Sequence, residues 1–174
     1  MTAHQLVAID GICLVLVAVV IYFTRAAPKR VFGAVVAGSV ATAIGIAFDV
    51  AGDAMGWWHY TMVRTGYGPP LMYVAVGLWY GVGVTLIGWR VIRRFGRRGL
   101  IAFIGFMAVY GPLRDYAGVA LTRGTVQVIA PGIMPLVGDM LLWASLNAVA
   151  QGIMWLVAGS PAADRLARAR SGLV

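Results

Sequence analysis

Five apolar runs, each about as long as a bilayer's hydrocarbon core is thick, constrain this chain more than any other feature. They fall at about 5–23, 31–54, 70–89, 99–119 and 132–158. A helix rising about 1.5 Å per residue needs about 20 apolar residues to cross that core. A soluble helical bundle would need a polar outer face on each helix, and these runs lack one. Only 11% of the residues are charged and 61% are hydrophobic, with mean hydropathy +0.86. A soluble domain carries about 25% charged residues. The sequence therefore predicts an all-α polytopic membrane protein. A bundle of about five transmembrane helices fills a single domain, 1–159, and a basic cytoplasmic tail follows over 160–174. No linker, low-complexity tract or internal repeat divides it.

The distribution of lysine and arginine sets the expected orientation. The connections at 24–30 and 90–98 and the tail carry Arg25, Lys29, Arg30, Arg90, Arg93, Arg94, Arg97, Arg98, Arg165, Arg168 and Arg170. The opposite loops, 55–69 and 120–131, carry only Arg64 and Arg123. Eleven against two predicts an N-terminus outside and a C-terminus in the cytoplasm, as an odd number of spans requires. The expected location is the bacterial cytoplasmic membrane. The first run has no basic leader and no small-residue cleavage pattern before Arg25, so it reads as a retained helix.

The net charge of +8 follows the ends of the apolar runs instead of forming a stripe, which argues against nucleic acid as a partner. Cys13 stands alone in an apolar run, and His4 and His59 are the only histidines. That set supports neither a disulfide framework nor a metal centre, and no cofactor is expected. The partners expected are a lipophilic small molecule and membrane lipid, with a homo-oligomer left open.

With that orientation the acids sort by depth. Glutamate is absent, and five of the six aspartates, Asp10, Asp49, Asp53, Asp115 and Asp139, map to the extracytoplasmic half; Asp164 belongs to the tail. A charge within a span costs at least a few kcal/mol, so it faces a bundle interior or a cavity and finds a partner. Asp49 and Asp53 are four apart and fall on one helix face, with Thr42 and Gly45 on roughly the same face. Mutual repulsion would leave one of the two with a proton, available to an alkene, an epoxide or a leaving group. The competing reading is structural: one or both acids pair with Arg114 and hold helices together.

The fourth run contains Tyr110, Gly111, Pro112, Leu113, Arg114, Asp115 and Tyr116. Pro112 removes one backbone hydrogen bond and predicts a kink. Arg114 and Asp115, being adjacent, should point apart, so the expected partners of Arg114 are Asp49, Asp53 or Asp139. Arg114 would either hold an anionic group of a substrate or lock three helices together, and Tyr110 shares its face. In the fifth run Asp139, Trp143, Asn147, Gln151 and Trp155 recur every four residues, a stripe that either lines a cleft or packs against other helices. The third run supplies Tyr73 and Tyr80, and Gly77 with Gly81 permits close helix approach. Trp57, Trp58, His59 and Tyr60 crowd one outer loop, either as interfacial anchors or as the aromatic wall of a pocket able to stabilise a cation.

The segment from Asp49 to Tyr60 resembles one in the small, heterodimer-forming membrane lycopene cyclases. In that family an Asp is followed by a small residue three on, a Gly seven on, a Trp nine on and an aromatic eleven on. Asp49, Gly52, Gly56, Trp58 and Tyr60 hold those positions here. The resemblance implies a small polytopic enzyme that protonates a polyisoprenoid and cyclises the carbocation, with Asp49 and the aromatic pair bordering the substrate. The family's Pro-x-Glu-Glu motif is missing: Gly68, Pro69, Pro70, Leu71, Met72 and Tyr73 stand after the segment with no acid among them. The proton donor would then be another residue, with Asp53, Asp115 and Asp139 as candidates.

The function expected is a metal-independent cyclase or isomerase for an isoprenoid-like lipophilic substrate. Asp49 and Asp53 form its acid/base pair, Asp115 and Asp139 position or re-protonate that pair, and Arg114 sets the local potential. Trp57, Trp58, His59, Tyr60, Tyr73, Tyr80, Tyr110, Trp143 and Asn147 would border the substrate. The alternatives are a non-catalytic carrier for a lipid, pigment or small amphiphile, and a proton- or cation-conducting oligomer.

Overall fold

A computed structural model describes residues 3–61 and 71–161 in full and the backbone of 68–70. Arg64 of the outer loop, and Asp164, Arg165, Arg168 and Arg170 of the expected tail, lie outside the described residues. Helix α1 is Ala3–Thr24 and α2 is Pro28–Ala54. A rod follows in three parts: α3 (Gly68–Val76), a π-helical segment (Gly77–Gly83) and α4 (Val84–Phe95). Helix α5 is Arg97–Thr122 and α6 is Ile133–Ala158. Two three-residue strands, β1 (Trp58–Tyr60) and β2 (Gln127–Ile129), complete the fold.

The protein is thus a helical membrane protein. Among the described residues four helices are long and apolar enough to cross a bilayer: Ala3–Thr24, Pro28–Ala54, Leu71–Phe95 and Ile133–Ala158. Their outward faces carry exposed Leu14, Val15, Phe32, Val50 and Leu156, which is stable against lipid tails and costly against water.

The helices before α6 run longer than the apolar runs alone suggest. The basic connection expected at 90–98 shrinks to Gly96, whose φ of +63° turns the chain directly into α5. Arginine is a good helix former, so Arg90, Arg93 and Arg94 extend α4 instead of forming a loop. The connection at 24–30 shrinks in the same way. Arg25 turns the chain at φ 49°, and Pro28 opens α2 at the position where a missing N–H costs nothing. Pro112 sits inside α5, and the helix continues through it to Thr122.

The bundle's core is built from small residues and a few large ones. Ala34, Ala37 and Ala41 of α2 pack with Leu86 and Trp89 of α4 and Met154 of α6. The tightest crossing is glycine on glycine: a Cβ built on Gly38 would lie 2.8 Å from the carbonyl carbon of Gly81. The close approach expected of the Gly77 and Gly81 pair is therefore made with α2, where Gly77 faces Thr42. Without a hydrophobic gain between lipid-soluble helices, such close packing is what holds a membrane bundle together.

The two outer connections pair with one another. β1 and β2 run antiparallel with Trp58 opposite Ile129, His59 opposite Val128 and Tyr60 opposite Gln127. Thr61 N–H donates to Val126 O at 3.0 Å and Ala130 N–H to Trp57 O at 2.8 Å, closing both ends of the clasp. Trp58 is seated against Gly52 of α2 and Trp57 against Gly138 of α6, where a Cβ at either glycine would overlap the indole. Glycine at these two positions is what lets the clasp lie flat across the helix ends.

Candidate functional site

Beneath the clasp the helices line a partly open cavity of about 400 Å³. Leu6, Ile9 and Cys13 of α1 form one wall, and Thr42, Gly45 and Asp49 of α2 another. The rod contributes Tyr73, Trp79 and Tyr80, α5 contributes Arg114 and Asp115, and α6 contributes Trp143 and Asn147. Tyr60 and Gln127 of the clasp close the end. Its volume falls in the range of small-molecule sites, and its character, apolar with a few convergent polar groups, is the usual one.

Asp49 stands near the end of α2, one turn before Asp53. Tyr73 Oη donates to Asp49 Oδ2 at 2.9 Å. Tyr60 and Trp58 stand beside the same carboxyl group, although the Trp58 indole N–H is buried with no hydrogen-bond partner. Tyr60 lies in the clasp, outside the spans. Burial, and then the charges of Asp49 and Asp115, push its phenol well above the ordinary value, so it remains a hydrogen-bond donor.

Asp115 is held from two sides. Arg114 pairs with Asp115 Oδ1, and Trp143 Nε1 donates to Asp115 Oδ2 at 2.9 Å. The Arg114 guanidinium carbon lies 4.7 Å from the Tyr80 ring centre and 5.6 Å from that of Trp143. The expectation that Arg114 and Asp115 point apart, with Arg114 reaching Asp49, Asp53 or Asp139, is thus corrected. The arginine stem is long enough to swing back over its own helix, and the two rings on the rod and α6 hold it there. Trp143 reaches α5 only because Gly111 offers no Cβ, which would overlap the indole ring. A planar guanidinium stacked on rings and paired with a carboxylate is a geometry that lysine does not reproduce.

The remaining expected residues divide. Tyr60, Tyr73, Tyr80, Arg114, Asp115, Trp143 and Asn147 join Asp49 in the cavity wall. Asp53 and His59 are exposed and absent from that wall, so the expected Asp49 and Asp53 pair does not share the cavity. Gly45 and Asp49, also four apart, both line the cavity; Asp53 lies a further turn along, at the very end of α2, where its side chain is exposed. Trp57 and Trp58 fix the clasp to the helices and do not line the cavity. Tyr110 stacks on Phe106 with centroids 5.5 Å apart and also lies outside the wall. Asp139 is buried just behind it, within electrostatic range of Asp115, Arg114 and Asp49, with Oδ2 unpartnered.

Sequence reasoning passed over Trp79, Gln127 and the α1 wall. Trp79 and Tyr80 enter together because the rod widens into a π-helical segment at Gly77–Gly83. Hydrogen bonds from i to i+5 turn successive side chains through a smaller angle, and such segments recur at functional sites. The three glycines of that segment were its available signal. The α6 stripe is buried from Asp139 to Gln151 and exposed at Trp155, and it is shared out along its length. Trp143 and Asn147 serve this cavity, whereas Gln151 and Trp155 line a second one nearer the opposite end. Among the described residues no three of His, Cys, Asp and Glu converge on a point that a metal ion would occupy.

No protein-family model, curated protein or solved structure is significantly similar to this chain.

Proposed function

We propose that the protein is a membrane-embedded acid-catalysed cyclase or isomerase acting on an isoprenoid-like lipophilic substrate. One observation carries the reading: Asp49 and Asp115, from different helices, face one apolar cavity walled by the rings of Tyr60, Tyr80 and Trp143. Asp49, anchored through Oδ2 by Tyr73, delivers the proton on its other oxygen to a carbon–carbon double bond. The two π electrons form the new C–H bond, and the more substituted carbon becomes the cation. In a cyclisation a second double bond attacks that carbon. An adjacent C–H then loses its proton to the Asp115 carboxylate, and its electron pair forms the product's double bond. Return of the proton from Asp115 to Asp49 resets the pair without net redox change, with Asp139 as the neighbouring relay. Aromatic faces lower the energy of the cation, and the largely apolar lining offers water few partners beside it.

The bundle crosses the membrane five times in this reading, α5 counting as a span, the fourth in chain order, despite Arg114 and Asp115. The excess of arginine and lysine at the opposite ends then puts the clasp outside, in a bacterial cytoplasmic membrane, and the cavity in the outer half. Reporter fusions after Ser160 and within the clasp check that orientation.

Turnover of acyclic polyenes by the protein in lipid nanodiscs, run in H₂O and in D₂O, tests the chemistry. The expected product has the substrate's mass in H₂O and gains one deuterium in D₂O. A polyene that binds and is recovered unchanged, with no deuterium, overturns the reading in favour of the carrier. The closed Arg114, Asp115 and Trp143 network favours that second reading, because it satisfies its own charges without a substrate.

A further inference from the structure

Asn147 is 6% exposed and lines the clasp-side cavity. Its side chain makes one hydrogen bond, from Nδ2 to Trp143 O at 2.8 Å, which fixes how the amide lies. No described residue donates to Asn147 Oδ1. Gln151 Oε1, one turn further along α6, is also unpartnered but sealed inside the protein. Asn147 Oδ1 is not sealed in that way, and the space it opens on is the cavity that Asn147 lines. An acceptor left unmet among apolar groups is costly, so an occupant of the cavity that carries a donor is favoured there.

The position of the amide limits what that occupant is. A Cβ built on Gly45 would lie 3.8 Å from Leu146 Cδ1, which sets Asn147 at about the level of Gly45, one turn beneath Asp49. Four residues at about 1.5 Å each put the amide roughly 6 Å below that carboxyl along the helix axis. Deeper still, Ala41 and Ala150 belong both to the cavity lining and to the core that Leu86 and Met154 close, and they form its floor. With Leu146, Ala41 and Ala150 around it, a water finds few of the two to four polar partners it needs. A hydroxyl donates to the amide oxygen, whereas a carbonyl or an ether cannot. An ammonium would share the cavity with the Arg114 guanidinium and be repelled by it.

Resting on the reading of this cavity as a substrate site, we propose that the substrate is an isoprenoid alcohol whose hydroxyl donates to Asn147 Oδ1 while its reacting double bond lies beside Asp49. An extended chain advances roughly 1.2 Å per bond, so the carbon bearing the hydroxyl and the double bond are about five bonds apart. Asn147 then selects which double bond of the chain meets the acid.

The test uses the full chain in detergent and three probes with one carbon skeleton: citronellol, its methyl ether, and the hydrocarbon that lacks only the hydroxyl. Affinity is read from the rise of the unfolding midpoint with probe concentration. The alcohol should bind about tenfold more tightly than either analogue. Asn147→Leu, which keeps the size of the side chain, should bring the alcohol down to the level of the other two. Should that variant fail to assemble, the three probes on the unaltered protein still decide the matter. The same probes are then incubated in D₂O. Selective binding of the alcohol without deuterium uptake upholds the hydroxyl site and overturns the cyclase reading. Deuterium uptake into alcohol and hydrocarbon bound equally well upholds the cyclase reading and overturns the hydroxyl site. Equal affinity for the three probes, a preference unchanged in Asn147→Leu, or no rise in midpoint with any of them would overturn the proposal.

Discussion

Tyr73 donates its phenolic hydrogen to Asp49 Oδ2 across 2.9 Å, tying the start of the broken rod to the end of α2 at the cavity wall. That bond occupies one carboxyl oxygen with a neutral donor and leaves the other for the cavity. Asp49→Asn keeps the shape and removes the transferable proton, so turnover of the polyene substrate should fall by about 10²–10⁴-fold, the usual worth of a general acid. Tyr73→Phe leaves the acid in place without its anchor, and a loss of roughly tenfold is expected. The measurement is product formation per assembled protein. Equal activity of Asp49→Asn and the unaltered protein would remove Asp49 from the mechanism.

Asp53 and His59 provide the contrasting case. Both are exposed and neither lines the cavity, so Asp53→Asn and His59→Ala should each retain activity within about twofold, the small effect typical of surface substitutions. A collapse of turnover in Asp53→Asn would restore the acid pair on α2 that four-residue spacing suggests.

Arg114 separates charge from shape. Arg114→Lys keeps the positive charge beside Asp115 but gives up the flat guanidinium over Tyr80 and Trp143. Stability should drop by about 0.5–2 kcal/mol, read as a lower midpoint of thermal unfolding in detergent. A lysine variant as stable as the parent would mean that the ring contacts contribute nothing.

Gly38 and Gly105 are both helical glycines with opposite surroundings. A Cβ at Gly38 meets the Gly81 backbone at 2.8 Å, whereas one at Gly105 meets nothing within 4 Å. Gly38→Ala should therefore destabilise the bundle by about 1–3 kcal/mol through overpacking. Gly105→Ala should be neutral or stabilise it by up to about 1 kcal/mol, since alanine is the better helix former. Comparing the two unfolding midpoints isolates the crossing from propensity, and a Gly38→Ala variant at least as stable as Gly105→Ala would contradict the packing.

Gly52 reports on the clasp. An added methyl there would displace the Trp58 indole from α2, and with it the strand that carries Tyr60 to the cavity. Gly52→Ala should increase exposure of Trp58, seen as a red shift of tryptophan emission, and lower turnover while the helical content stays the same. An unchanged spectrum and unchanged turnover would show that the clasp does not depend on this seat.

What the sequence by itself determined is the membrane class, the helical fold and the short list of groups able to do chemistry there. Long apolar runs leave a chain no other way to satisfy its backbone in lipid, and a charge inside such a run is conspicuous because it is costly. Helix ends were legible only approximately, since arginines after Gly88 extend a helix as readily as they flank one. Which acids meet was decided by tertiary structure. Asp49 and Asp53 are equivalent on paper, yet Asp49 lines the cavity and Asp53, one turn nearer the helix end, is exposed. The pairing of Arg114 with Asp115 depends on rings from two other helices, and the joint entry of Trp79 and Tyr80 on a π-helical segment of the rod. The clasp of β1 and β2 depends on residues about seventy apart in the chain that come together only after the helices have packed. Local pattern encodes burial and periodicity one segment at a time, whereas a cavity is a property of the gaps between segments.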